Sequence, residues 1–353
     1  MVIIPLSHCF NIRCCRLPLR VGFALPLSLI LFAVVPLLAE DRVILLDSQQ
    51  RQISRVGEVL SFDADSLKLQ TRQGREIEIP RERVVRVDPE QSAEHSKADD
   101  RFKERNYQAA LVAYQKSIRL EKRNWLRREM LAQIIRCHSN LGDRRKAGSL
   151  FLVLCKDDQR TLHFDAIPLA WRPWQPDRQA TLDATKWLNA PSPVAKLLAA
   201  SWFLSTSKRP EAIRVLEGLK RSRDSRVQQL ANAQLWRTQL VTTRKDIVLH
   251  EWPRMLQQMP IELRGGPHFV LARALAKHGA SDRSILEFMR VPITYGAMYD
   301  LSAESLWQAG QQLEKAGSRT EAARIYREVI RDYPDTTFAT QAQQRVMTLT
   351  TAG

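Results

Sequence analysis

The strongest constraint on the fold is a spaced run of small and large apolar residues between positions 303 and 334. The run comprises Leu306, Ala309, Gly310, Leu313, Gly317, Ala322, Tyr326 and Pro334. Residues three and four apart share one side of a helix, so the first four form a single apolar face. Gly310 and Ala322 are small enough to let two antiparallel helices touch. A glycine suits the turn and a proline ends the second helix, so the pattern predicts a helical hairpin.

Weaker copies of this pattern occur upstream. Ala110, Ala147, Ala212 and Ala322 are separated by 37, 65 and 110 residues, close to one, two and three lengths of such a unit. The pattern predicts hairpins near 92–122, 131–151 and 199–216, with degenerate units at 226–259 and 265–289. One hairpin cannot bury its own apolar face, so we expect five to seven stacked hairpins, each touching only its neighbours. The stretch 167–176, with two tryptophans between three prolines, fits no hairpin and predicts an irregular insertion.

The unit at 303–334 resembles the tetratricopeptide repeat, with Leu306 and Leu313 where that repeat usually has aromatic residues. The resemblance implies a mainly α solenoid over residues 91–353 that binds a protein or peptide partner on the surface built by the first helices. On that resemblance, the partner-binding candidates are Phe102, Lys103, Arg136, Asn140, Trp307, Gln311 and Lys315. The last unit is also similar to repeats of periplasmic proteins that work beside the Tol-Pal system and outer-membrane assembly machinery. The chain differs from the proteins that work beside the Tol-Pal system, because it lacks their N-terminal coiled coil.

Residues 42–88 alternate apolar and polar side chains, with Gly or Asp at the breaks. This pattern predicts five short strands at 42–47, 56–62, 66–71, 76–79 and 84–87. An open sheet this small would expose its edges, so we expect residues 40–90 to form a closed or nearly closed all-β barrel. A G-x-V pattern and the ending IPxxxVVxV resemble small SH3-like or Sm-like barrels. We also expect residues 91–353 to fold without this domain.

The first 39 residues have the layout of a secretory leader. Arg13, Arg16 and Arg20 precede an apolar run over 21–38, and no acidic residue occurs before position 40. Cleavage after Ala39 is the first interpretation, and retention as an N-terminal membrane anchor is the alternative. In both cases the body lies outside the cytoplasm, in the periplasm or cell envelope. After cleavage two of five cysteines remain, Cys137 and Cys155, which we expect to be buried free thiols, although a disulfide remains possible.

The chain carries a formal charge of +16, which falls to +13 once the leader is removed. Two stretches hold most of the excess: 119–147 has nine basic and three acidic residues, and 208–245 has ten and three. The favoured interpretation is solvated helix faces. The alternative is a surface for an anionic envelope polymer, because such a charge attracts polyanions. Nucleic acid is disfavoured, since the chain is exported and lacks interleaved exposed aromatic residues.

No pattern of catalytic residues is found. None of the seven histidines stands at metal-ligand spacing, and no phosphate-binding glycine loop occurs. The sequence therefore predicts an exported scaffold that is not an enzyme and uses no cofactor or metal. The alternative function is binding of cell-wall or other anionic glycan by the basic faces and by Trp171, Trp174 and Trp187. Tryptophans of this kind more often fill an irregular joint in a solenoid core.

Overall fold

The computed structural model describes residues 40–240 and 242–351. These residues belong to one compact unit, and the predicted leader lies outside them. Within the described part, no helix has both the length and the hydropathy needed to cross a bilayer.

The N-terminal region is an antiparallel sheet of five strands. Its strands are β1 (Asp41–Leu46), β2 (Gln52–Phe62), β3 (Ser66–Gln70), β4 (Glu76–Pro80) and β5 (Val84–Asp88). They pair in the order β4-β3-β2-β1-β5, with register shifts in β1 and in the long β2. Alternation of the side chains buries one face of each strand, as Val43 and Leu45 of β1 and Leu67 and Leu69 of β3 show. All five strands predicted from the sequence are present.

The expected closed barrel is not confirmed, because the sheet is open in the described residues and β4 and β5 form its two edges. The physical reason lies in what covers the apolar face. Trp125 and Leu126 from the helical region are buried in the same core as Val59, and the Trp125 indole N–H donates to the Val59 carbonyl at 2.9 Å. Helices cover this face, so the sheet need not close on itself to bury it.

The remainder of the described chain is helical. The helices are α1 (Ala93–Lys103), α2 (Tyr107–Leu120), α3 (Asn124–Asn140), α4 (Arg144–Asp157), α5 (Arg178–Leu188), α6 (Pro193–Phe203), α7 (Arg209–Leu219), α8 (Ser225–Trp236), α9 (Trp252–Gln257), α10 (Gly265–Lys277), α11 (Ser281–Thr294), α12 (Tyr299–Lys315), α13 (Arg319–Asp332) and α14 (Thr337–Thr351). Several start at a residue whose side chain accepts from a backbone N–H of the first turn, as Asn106, Asp143 and Ser192 do. The mainly α architecture predicted from the sequence is confirmed.

Within residues 40–240 and 242–351, five regular hairpins are formed by α1–α2, α3–α4, α6–α7, α10–α11 and α12–α13. In the last one Tyr326 is fully buried between the helices. It lies so close to Gly310 that a Cβ there would come within 2.5 Å of its ring. The expected unit at 226–259 is not a regular hairpin, because α8 is followed by a π-helical turn at Ile247–Glu251 and the short α9. The insertion after α4 is confirmed: only a 3-10 turn at Phe164–Ala166 precedes α5.

The first and last hairpins contact each other, contrary to the expectation that each unit touches only its neighbours. Tyr107 at the start of α2 packs edge-on against Tyr299 at the start of α12, with ring centroids 5.9 Å apart. Arg105 lies over the rings of Tyr299 and Tyr333 and donates to the Asp332 carbonyl. The array therefore closes on itself, with its two ends in one shared apolar cluster.

Candidate functional site

A cleft of about 410 Å³ lies where α3 and the irregular segment after α4 meet the loop between α11 and α12. We call it the closure cleft. Its apolar lining includes Ile167, Leu169, Trp171, Met298 and Leu301. Its polar lining includes three basic residues, three acidic residues and two neutral ones: Arg136, Arg144, Arg172, Asp165, Glu262, Asp300, Ser139 and Asn140. A few well-placed polar groups over an apolar lining are typical of ligand sites.

Asn140 fixes one wall of the closure cleft. Its side-chain amide donates to the Ala297 carbonyl at 3.0 Å, and its carbonyl oxygen accepts from the Tyr299 backbone N–H at 3.3 Å. The last residue of α3 thereby holds the start of α12. The cleft exists only because the two ends of the array meet.

Two polar side chains of the closure cleft lack a hydrogen-bond or ion-pair partner among the described residues. The Ser139 hydroxyl is buried without a hydrogen bond. Arg144, the first residue of α4, makes no ion pair with any described carboxylate, and its guanidinium lies over the Trp174 ring, 5.4 Å from the centroid. A buried hydroxyl without a partner costs free energy, so Ser139 is a candidate for contact with a ligand, and the half-buried Arg144 guanidinium is a candidate for contact with an anionic group.

Arg144 is the one arginine of the closure cleft that no described carboxylate pairs. Burial, then the charge of Arg172, lowers the pKa of Arg144 to about 10, and the guanidinium still stays protonated at neutral pH. The nearest acids are already engaged, since Arg172 bonds Asp300 at 2.9 Å and Glu304 at 3.4 Å. Burial raises the pKa of Glu304, which weakens it further as a counter-ion.

Further arginines add positive charge near Arg144. Burial lowers the pKa of Arg237 to about 9, and the nearby charges of Arg273, Arg144 and Arg209 lower it further in the same direction. The Arg237 guanidinium bonds the Ser201 and Arg172 carbonyls and the Gln234 side chain, all neutral acceptors. The two basic stretches of the sequence thus supply Arg144, Arg209 and Arg237 to one region of the fold.

The seven predicted partner-binding residues do not form one site. Arg136 and Asn140 line the closure cleft, where Arg136 pairs with Asp165 at 2.6 Å. Phe102 packs edge-on against Tyr107, and Trp307 is buried against Tyr326, so both serve the core. Lys103 is exposed beside Asp100, Gln311 is half-buried and Lys315 is exposed. Their role in binding stays a prediction.

The three tryptophans of the glycan alternative do not present a shared exposed face. Trp174 and Trp187 both pack edge-on against the buried Trp202, with centroids 5.0 and 5.2 Å away. Trp171 is buried against Gly266, where no Cβ would fit. They fill the irregular joint of the array, and glycan binding stays a prediction.

Sequence reasoning missed Ser139, Arg144, Arg172 and Asp300 as members of one cleft. Arg144 stood in a recognised basic stretch, but nothing in the sequence separates it from its neighbour Arg145, which is exposed and pairs with Asp183. Cys137 is a buried free thiol and Cys155 a half-buried one. Among the described residues, no three His, Cys, Asp or Glu side chains stand together as a metal site.

Comparison with known proteins finds one protein family that matches part of the chain. Residues 304–336 match the tetratricopeptide repeat family, and the match spans α12 from Glu304 onward and all of α13. No curated protein matches the chain. Repeats of this family generally mediate protein–protein interaction and are generally non-enzymatic, and the matched segment is the one hairpin in which the sequence pattern is complete.

Proposed function

We propose that this protein is an exported, non-enzymatic scaffold that binds an extended segment of a partner protein in the closure cleft. The observation that carries the proposal is that Arg144, without an ion pair, and Ser139, with an unbonded hydroxyl, both line a cleft that also has an apolar lining. A guanidinium and a hydroxyl at the end of a small cleft suit a peptide carboxylate, while the apolar lining suits a neighbouring side chain. The matched repeat supports a role in protein interaction.

The test is site-specific photo-crosslinking in the native cell. A photoreactive residue replaces Thr294, which is exposed on the rim of the closure cleft. We expect a discrete crosslinked partner from this position. Val112, exposed on α2, serves as the control position and should give none.

Two neighbouring arginines provide a matched pair for the same experiment. Arg144→Ala should abolish most of the crosslink, because it removes the unpaired cation from the cleft. Arg145→Ala removes the neighbouring arginine, which is exposed and does not line the cleft, so the crosslink should stay intact. Equal crosslinks in both variants, or an equal crosslink from Val112, would show that the cleft does not bind the partner.

Export and residence in the cell envelope are part of the proposal and rest on the leader pattern of residues 1–39. Fractionation should place the protein outside the cytoplasm, and N-terminal sequencing of that material should begin at Glu40. A chain that retains Arg13 to Arg20 in the envelope fraction would favour the anchored alternative. Recovery in the cytoplasm alone would contradict export.

A further inference from the structure

A second and larger concavity, of about 1190 Å³, lies at the joint between α4 and the helices that follow the irregular insertion. We call it the seam groove. The ends of α4 and α7 and the starts of α6 and α8 form its walls. It shares no lining residue with the closure cleft, so it is a separate site.

The seam groove exists because α4 does not stack on the next helices as a regular repeat would. Their contact runs through Gly148, whose added Cβ would come within 3.0 Å of the rings of Trp187 and Trp202. Beyond that contact, partly buried Leu152 and Val194 face the groove together with Trp187 and the buried Leu219. The walls are therefore mainly apolar.

The rim of the seam groove is cationic. Five basic residues line it against one acid, Asp224. Arg226 pairs with Asp224 at 2.8 Å, and Arg160 pairs with Asp65 at 2.9 Å. The remaining three cations, Lys156, Arg221 and Arg223, are exposed and make no ion pair with a described carboxylate.

The helix ends that line the groove are two starts and two ends. The starts of α6 and α8 bring partial positive charge to the groove, but the ends of α4 and α7 bring partial negative charge, so the net positive field comes from the side chains. An apolar trough with three unpaired cations on its rim is complementary to an apolar surface flanked by carboxylates. Electrostatic matching of this kind steers association and selects the partner.

We propose that the seam groove is a docking site for an amphipathic helix of a partner protein, with an apolar face flanked by acidic residues. The volume fits about two to three helical turns, since a helix of 10–12 Å diameter and 5.4 Å pitch occupies roughly 400–600 Å³ per turn. A helix satisfies its own backbone and needs only side-chain contacts.

The test uses the full chain and two synthetic peptides of about four helical turns. Both carry leucines at helical spacing; one has glutamates on the flanks and the other has lysines. Fluorescence anisotropy gives the affinity, and circular dichroism reports whether the peptide gains helix on binding. We expect the glutamate peptide to bind and become helical, the lysine peptide not to bind, and the affinity to fall with added salt.

Two charge-reversal variants localise the binding. Arg221→Glu with Arg223→Glu should weaken the glutamate peptide roughly tenfold or more, because two attractive charges become repulsive. Arg119→Glu with Lys122→Glu makes the same charge change at exposed residues that do not line the groove and should leave the affinity unchanged. Thermal melting confirms that both variants fold.

Other occupants give different results. Equal binding of the two peptides, or equal weakening in the two variants, would overturn the proposal. So would displacement of the glutamate peptide by vesicles of phosphatidylglycerol or by polygalacturonate, which would assign the groove to an anionic lipid or glycan. Arg144 lines the closure cleft, so Arg144→Ala should not change the affinity of the seam groove for the glutamate peptide. Failure of the seam-groove proposal is therefore distinguishable from failure of the proposed function of the closure cleft.

Discussion

The first and last hairpins of the array make their tight turns in different ways. In the last hairpin the turn residue is Gly317, with φ +82°, a left-handed conformation that glycine adopts freely. In the first hairpin the corresponding turn between α1 and α2 contains Arg105, with φ +63°. An arginine in this conformation costs about 1–2 kcal/mol relative to ordinary helical geometry.

The contacts of Arg105 explain why a strained arginine stands there. Its guanidinium lies 5.3 Å from the ring centroid of Tyr299 and 4.7 Å from that of Tyr333. Interactions between a cation and an aromatic ring contribute about 0.5–2 kcal/mol each, enough to offset the strain. The last hairpin is therefore shaped by its own packing, whereas the first is shaped by closure against the last.

The largest expected effect breaks the last hairpin. Tyr326→Ala removes a fully buried ring and should destabilise the protein by about 3–5 kcal/mol. Tyr326→Phe is the matched control: it loses only the hydrogen bond to Glu314 and should cost about 1 kcal/mol. Hydrogen exchange should show lost protection in α12–α13 and, through closure, in α1–α2, while the sheet stays protected. Uniform loss across the chain would contradict a repeat array.

The second-largest effect concerns the contact between the sheet and the helices. The buried Asp41 carboxylate accepts from the Val59 and Glu90 backbone N–H groups and from Arg123, at 2.8–2.9 Å. Asp41→Ala leaves Arg123 without this partner and should cost about 3 kcal/mol. Asp157→Ala removes an exposed partner of Arg128 and should cost less than about 1 kcal/mol. Equal costs in denaturant melts would show that the sheet contributes little to the helical region.

The stability of the protein should depend on pH through Glu129, which lies in a recess between the sheet and α3. Burial raises the pKa of Glu129 to about 7, while burial lowers the pKa of His163, which lines the same recess, to about 4. Between pH 4.5 and 7 the folded state keeps a proton on Glu129 that the unfolded state releases, so this residue's contribution to stability falls as pH rises. Glu129→Gln should therefore gain about 1–3 kcal/mol over wild type at pH 8 and little at pH 4. A difference independent of pH would contradict this assignment.

The smallest effect tests closure itself. Arg105→Ala keeps the strained turn and loses the contacts with Tyr299 and Tyr333, so it should cost about 1–2 kcal/mol. Arg105→Gly loses the same contacts but relieves the strain, so its stability should lie near that of wild type. Both variants should increase hydrogen exchange at the start of α12 equally. Unchanged exchange there in both variants would mean that Arg105 does not hold the two ends together.

The closure cleft shows where sequence reasoning stops. Arg136 and Asn140 were found because the repeat pattern places them on a first helix, and both line the cleft. Arg172 lies in the irregular insertion and Asp300 at the start of α12, 128 residues away, so no local pattern pairs them. The expected barrel failed for a similar reason: the strands alternate as a barrel's would, but Trp125 from α3 covers their apolar face.

Local sequence patterns account for the five strands and the regular hairpins, but not for the irregular segment at 226–259. Alternation over 42–88 and the small residues at positions such as Gly310 and Ala322 act over a few residues, and local geometry follows from them. Only the tertiary structure decided the open sheet, the closure of the ends and the two concavities. These depend on contacts between residues such as Arg105 and Tyr333, or Asn140 and Ala297, whose separation in the chain leaves no periodic signal.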